Sequence, residues 1–174
     1  IIDIENKIDP NSESEDLIFS DGNIVFSNIY FAYNSNLENA VLKDVSLKFL
    51  GGNMTALVGH SGGGKSTILN MIPRIYSPHK GKIEIDGQDI STRNLVSIRK
   101  EISIVDQNTT LFDDTIKNNI RYAKPDANDD EVFKAAEQAM CKEFIEKLDN
   151  GYETIIGENG VKLSGGEKQR LSIA

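Results

Sequence analysis

Residues 24–31 read Ile-Val-Phe-Ser-Asn-Ile-Tyr-Phe, a run of β-branched and aromatic side chains that predicts a strand. Residues 41–50 alternate in part between apolar and polar positions and predict a second strand, which Gly51 and Gly52 stop. Residues 54–58 are nearly all apolar, the pattern of a short strand buried on both faces of a sheet. That run leads into a glycine-rich stretch, after which 66–72 predict a helix that Pro73 ends. Residues 82–85 predict a strand closed by an Asp86-Gly87 turn, 95–100 a helix, and 102–105 a further short strand. The pattern then changes. Residues 115–120, 129–140 and 142–148 predict helices, with Asn128 and Glu131 spaced as a capping box. Val132, Ala135, Ala136 and Ala139 fall on one helical face and predict a core-facing stripe. The chain thus runs from strands through a helix-rich stretch to a glycine-rich end, without internal repeat or low-complexity tract.

The length of 174 residues suits one ordinary domain. With 39% hydrophobic and 26% charged residues, the composition is that of a soluble globular protein. No apolar run reaches the roughly 18–20 residues needed to cross a bilayer, and no basic-then-apolar leader is present. The net charge of −8 is concentrated at the start, where Asp3, Glu5, Asp9, Glu13, Glu15, Asp16 and Asp21 face only Lys7. Residues 1–22 therefore read as an acidic linker or entry segment. A nucleic-acid binder calls for a basic face, so the charge argues against DNA or RNA as a partner. Cys141 is the single cysteine; it excludes an intrachain disulfide and is expected to be a packed thiol. No His/Cys cluster has metal-ligand spacing.

Gly59-His60-Ser61-Gly62-Gly63-Gly64-Lys65-Ser66-Thr67 fits the phosphate-loop pattern G-x-x-x-x-G-K-[ST], between an apolar run and a predicted helix. Glycines permit backbone angles that turn successive N–H groups inward as an anion nest. The helix start directs its unsatisfied N–H groups at the same point. Lys65 is expected to reach the β- and γ-phosphates of ATP, Ser66 to complete the shell of Mg²⁺, and Thr67 to bond a phosphate nearer the sugar. His60 and Ser61 fill variable positions of the loop and carry no assigned chemistry.

Leu163-Ser164-Gly165-Gly166-Glu167-Lys168-Gln169-Arg170 resembles the signature motif of ABC ATPases, usually written LSGGQ, with Glu167 where Gln is commonest. Its chemistry is a second anion site, a serine hydroxyl and glycine amides at a helix start. Three further matches follow the family's order. Tyr33 sits where the family's aromatic stacks on adenine, and Gln107 resembles the glutamine that meets Mg²⁺ and the attacking water. Residues 154–160 look like the x-loop of exporter-type domains, in which Glu158 contacts the membrane half. From residue 24 onward the chain resembles the nucleotide-binding domain of an ABC transporter, closest to bacterial lipid and multidrug exporters.

The resemblance implies an α/β fold: a P-loop NTPase core, an N-terminal antiparallel β subdomain and a helical subdomain at about 112–170. Residues 1–22 are expected to join a transmembrane domain to a partial nucleotide-binding domain over 23–174. Two such domains pair head to tail around ATP and Mg²⁺, at the cytoplasmic face of a membrane. Lys65, Ser66 and Gln107 then act in cis, with Ser164, Gly165 and Gly166 facing the nucleotide of the other domain. The family's Walker B strand, catalytic Glu and switch histidine are not found before Ala174, which implies a fragment of a transporter with little turnover of its own. The alternatives are a soluble ABC ATPase acting on nucleic acid, disfavoured by the acidic balance and lack of heptads, a small-molecule P-loop kinase, and a non-hydrolysing ATP-binding module.

Overall fold

The computed structural model describes residues 14–34, 36–106 and 109–174. It divides into two compact units, one reaching to Ser103 and the other running from Ile104 to Ala174. The fold is α/β, with an antiparallel sheet and helices.

The first unit is built on four strands: β1 (Ile24–Phe31), β2 (Leu42–Phe49), β3 (Lys80–Ile85) and β4 (Gln88–Asp89). They lie in the order β2-β1-β3-β4, each pair antiparallel. In β1 the buried side chains are Phe26, Ile29 and Phe31, a spacing of three and then two. A regular strand alternates by two, so one extra residue must be absorbed. The ladders to both neighbours shift register after residues 26 and 27, where Asn28 has a φ of 50°. Ser46 Oγ accepts from the Asn28 amide, and the Asn28 side chain donates to Asp44 Oδ1, each at 2.9 Å. Opposite this bulge Gly81 has φ +88°, and a Cβ there would lie 2.4 Å from the Ser27 carbonyl oxygen. The bulge thus lets three large apolar residues of unequal spacing enter one core.

Helices α1 (Lys65–Met71) and α2 (Leu95–Lys100) cover that core, adding Ile68, Met71 and Ile98. Asp86 and Gly87 both take positive φ, 49° and 75°, as the hairpin between β3 and β4 requires. Residues 14–23 form a strap along this unit. Leu17 is buried, its amide donates to Ser97 Oγ, and Gln88 brackets Ile18 with two hydrogen bonds. The Asp86 carboxylate accepts from the amides of Ser20, Gly22 and Asn23 at 2.8–3.1 Å.

Two expected strands do not form. Residues 54–58 have no ladder partner among the described residues, and Met54 and Val58 are almost fully exposed. Residues 102–105 likewise lie outside any strand, with Ile104 and Val105 half-exposed. Both runs have strand-like composition, that of 54–58 a doubly buried one, but composition supplies no hydrogen-bonding neighbour, and a segment without one gains nothing from exposed apolar side chains.

The second unit packs α3 (Ile116–Arg121), α4 (Asp129–Gln138), α5 (Lys142–Ile145) and α6 (Gly165–Ile173). Its core holds Ile116, Val132, Ala136, Cys141, Ile145 and Ile156. The capping box of Asn128 and Glu131 is present, and Val132, Ala136 and Ala139 are buried as their spacing predicts. Helix α4 stops earlier than expected because Met140 turns left-handed at φ 57° and the Cys141 amide bonds back to the Ala136 carbonyl. Ile155 bridges to Thr115, which fixes the segment before Glu158 against the start of α3. Glu158 itself is exposed in a short 3-10 turn. No helix among the described residues is long and apolar enough to cross a membrane.

Candidate functional site

The loop 59–64 and the first turn of α1 wall a cleft of about 580 Å³, lined by Tyr33, Val41 and residues 61–67. Gly64 is the N-cap of α1, in the left-handed region at φ 79°, and a Cβ there would sit 2.6 Å from Leu42 Cδ2. Gly62 is also left-handed, at φ 80°. Only glycine takes this pair of conformations without strain, and at 64 only glycine lets the loop pass against Leu42 of β2. The Gly63 amide closes a turn onto the His60 carbonyl at 3.2 Å.

Lys65 folds back over this loop. Its Nζ donates to the carbonyl oxygens of Gly59 at 2.9 Å and His60 at 2.6 Å. An ammonium has three hydrogens, so this arrangement fixes the charge at the cleft and leaves one donor for an anion. Ser66 lines the cleft and is exposed. Thr67 is only 3% exposed, and its hydroxyl forms a 2.7 Å hydrogen bond with the hydroxyl of Tyr33. The structure therefore brings Tyr33 and residues 61–67 to one cleft, as the sequence order alone could not show. Val41 also lines it and is a residue that the motif did not reveal. Gln107 lies outside the described residues.

The second candidate anion site is in the other unit. Ser164 is the N-cap of the nine-residue helix α6. Its hydroxyl accepts from the Glu167 amide at 3.4 Å, while the Glu167 carboxylate accepts from the Ser164 amide at 2.7 Å. This reciprocal pair is a capping box. The Ser164 hydroxyl, and after it the Ser164 amide, hold the Glu167 carboxyl below its ordinary range. The residue that departs from the commonest signature thus has a structural role, which S-x-x-E spacing makes legible in sequence. Ser164, Gly165 and Gly166 are all exposed.

Residues 42–174 match the family model described as ABC transporter. A solved bacterial Atm1-family ABC exporter with ATP bound is 41% identical, with a TM-score of 0.88, and covers 93% of this chain. The chain covers 28% of that structure. It is 46% identical to ATP-binding cassette sub-family B member 6 of Xenopus tropicalis, over 99% of this chain and 21% of that protein. It is 45% identical to the ATP-dependent lipid A-core flippase of Syntrophus aciditrophicus, over the whole of this chain and 28% of the flippase. The chain belongs to the ABC transporter family, and its fold is that family's ATPase fold. It spans less than a third of the length of these relatives.

Proposed function

We propose that the chain is the ATP-binding domain of an ABC exporter, and that ATP binding and hydrolysis by the full-length protein drive a substrate across a membrane. The observation that carries this reading is Lys65, whose ammonium is anchored by two carbonyls of its own loop at the mouth of a cleft. A positive charge fixed beside glycine amides is a site for a polyphosphate. Tyr33, at the edge of the same cleft, offers a ring for adenine, and Thr67 a hydroxyl for a phosphate. The relatives support export as the task, since they are named as an exporter and a flippase.

The arrangement divides the chemistry among named groups. The loop amides and Lys65 bind and orient the β- and γ-phosphates, so that part of the transition-state charge is met by donors already in place. Ser66 would supply one hydroxyl of the hard oxygen type that Mg²⁺ prefers. Mg²⁺ held there would neutralise charge on the phosphates. Gln107 is assigned to the ion and the attacking water on its sequence position. Ser164, Gly165 and Gly166 are assigned to the γ-phosphate of a second nucleotide-binding domain paired head to tail, and a transmembrane domain is the other partner, at the cytoplasmic face.

Nucleotide affinity tests the reading. A hydrogen bond to a charged group is worth about 1.5–3 kcal/mol, so Lys65→Ala is expected to weaken Mg-ATP binding by about ten- to a hundredfold. Unchanged affinity, measured by calorimetry on the full-length protein, would overturn the assignment.

A further inference from the structure

Tyr33 is 60% exposed, yet three neighbours fix it. Its hydroxyl is bonded to Thr67 at 2.7 Å. Its ring stands perpendicular to Phe31, centroids 5.1 Å apart at 82°, and to Tyr76, 5.3 Å apart at 83°. Phe31 and Tyr76 touch each other at 5.4 Å, so the three rings form a closed set. Phe31 belongs to the β1 core and Thr67 to the phosphate loop, and each has a role without Tyr33. Tyr76 lies outside the cleft lining and is half-buried against the edge of the β1 core, so its ring joins that core to Tyr33.

The backbone brings Tyr76 there by a specific reversal. After α1 the chain turns back at Arg74, which is left-handed at φ 54°, and the amides of Ile75 and Tyr76 both return to the Asn70 carbonyl. The Arg74 guanidinium donates to the Arg93 carbonyl at 2.8 Å, and Arg99 donates to the carbonyls of Pro73 and Arg74. A segment held at this many points presents the Tyr76 ring in one place.

We propose that Tyr76 is a positioning residue for base recognition, holding the Tyr33 ring in the orientation that receives adenine. The proposal rests on the reading that Tyr33 takes the base. An exposed ring with a loose side chain must be ordered when a base stacks on it, and that ordering weakens binding. Perpendicular aromatic pairs stabilise one orientation by about 0.5–1.5 kcal/mol beyond the area they bury. Losing one such pair predicts an affinity loss of about two- to tenfold, confined to ligands that carry a base.

The test measures binding of Mg-ATP and of magnesium tripolyphosphate, which lacks the base, to the full-length protein and its variants. Tyr76→Leu, which stays apolar but has no ring, is expected to lose about two- to tenfold for ATP and nothing for tripolyphosphate. Tyr76→Phe, which keeps the ring, is expected to bind both as the unmodified protein does. Tyr76→Met gives the same reading should the leucine variant not fold. Equal weakening of both ligands would mean a merely structural role and overturn the proposal. If Tyr33→Ala weakens ATP but Tyr76→Leu does not, the positioning role alone falls. Full ATP affinity in Tyr33→Ala would sink the adenine assignment, and the proposal with it.

Discussion

Glu167 is governed by one neighbour and Cys141 by its burial, and each has a measurable consequence. The Glu167 carboxylate receives the Ser164 amide, and glutamine can fill the same place in a capping box. Glu167→Gln is therefore expected to keep α6 at neutral pH while removing one acid-sensitive contribution to stability. The sign follows from the lowered folded-state pKa of the carboxyl. Its stabilisation is complete above the ordinary value of 4.5 and is lost as pH falls through the lower folded value. Thermal midpoints measured across that acid range should decline less in the glutamine variant; parallel curves would remove Glu167 from the account. Ser164→Ala removes the cap hydroxyl itself and should cost about 1 kcal/mol, read from denaturant unfolding. Cys141 is fully buried, and burial pushes its thiol up to about 11. The thiolate is the reactive form, so alkylating reagents at pH 8 should label Cys141 only after denaturation. Rapid labelling of the native protein would contradict the packing described.

At the scale of elements, the last turn of the strap, residues 20–23, is held by one carboxylate. Burial opposes ionisation of Asp86, but the amides of Ser20, Gly22 and Asn23 outweigh it and hold the carboxyl below its ordinary range. The attachment is complete above the ordinary value of 3.8 and loosens as pH falls through the folded value. Asp86→Ala should free residues 20–23 at every pH while Leu17 and Ile18 stay attached, seen as faster hydrogen exchange at the Ser20, Gly22 and Asn23 amides; unchanged protection would place the attachment elsewhere. The sequence marked Asp86-Gly87 as a hairpin turn but gave no sign that its carboxylate binds a segment more than sixty residues earlier. Capping boxes, the strand 24–31 and the apolar stripe of α4 were legible because their causes are local. The bulge in β1 was not, since only the register against two neighbours shows why Phe26, Ile29 and Phe31 share a core. The same limit explains residues 54–58, whose composition describes the environment of a strand without supplying its partner. At the site, the phosphate loop was legible from its spacing, whereas Tyr76 follows Pro73 in a turn and has no periodic or motif signal.

For the whole molecule, the phosphate-loop and signature motifs lie in different units, and the proposed function assigns them to nucleotides bound by different copies. In a head-to-tail dimer each composite site takes its phosphate loop from one copy and its signature from the other. Lys65→Ala disables the first contribution and Ser164→Ala the second. Pairing a Lys65→Ala copy with a Ser164→Ala copy places both defects in one composite site and leaves the other intact. A doubly substituted copy paired with an unmodified one spoils both sites, because each then contains one defect. If the motifs instead served the same nucleotide within one chain, the outcomes would exchange: two single variants would leave no intact site, and the double variant would leave one. Nucleotide occlusion, counted per dimer in differentially tagged pairs of the full-length protein, distinguishes the two arrangements without requiring normal turnover. About one occluded nucleotide in the pair of single variants, and close to none in the pair containing the double variant, is the result that the trans assignment requires.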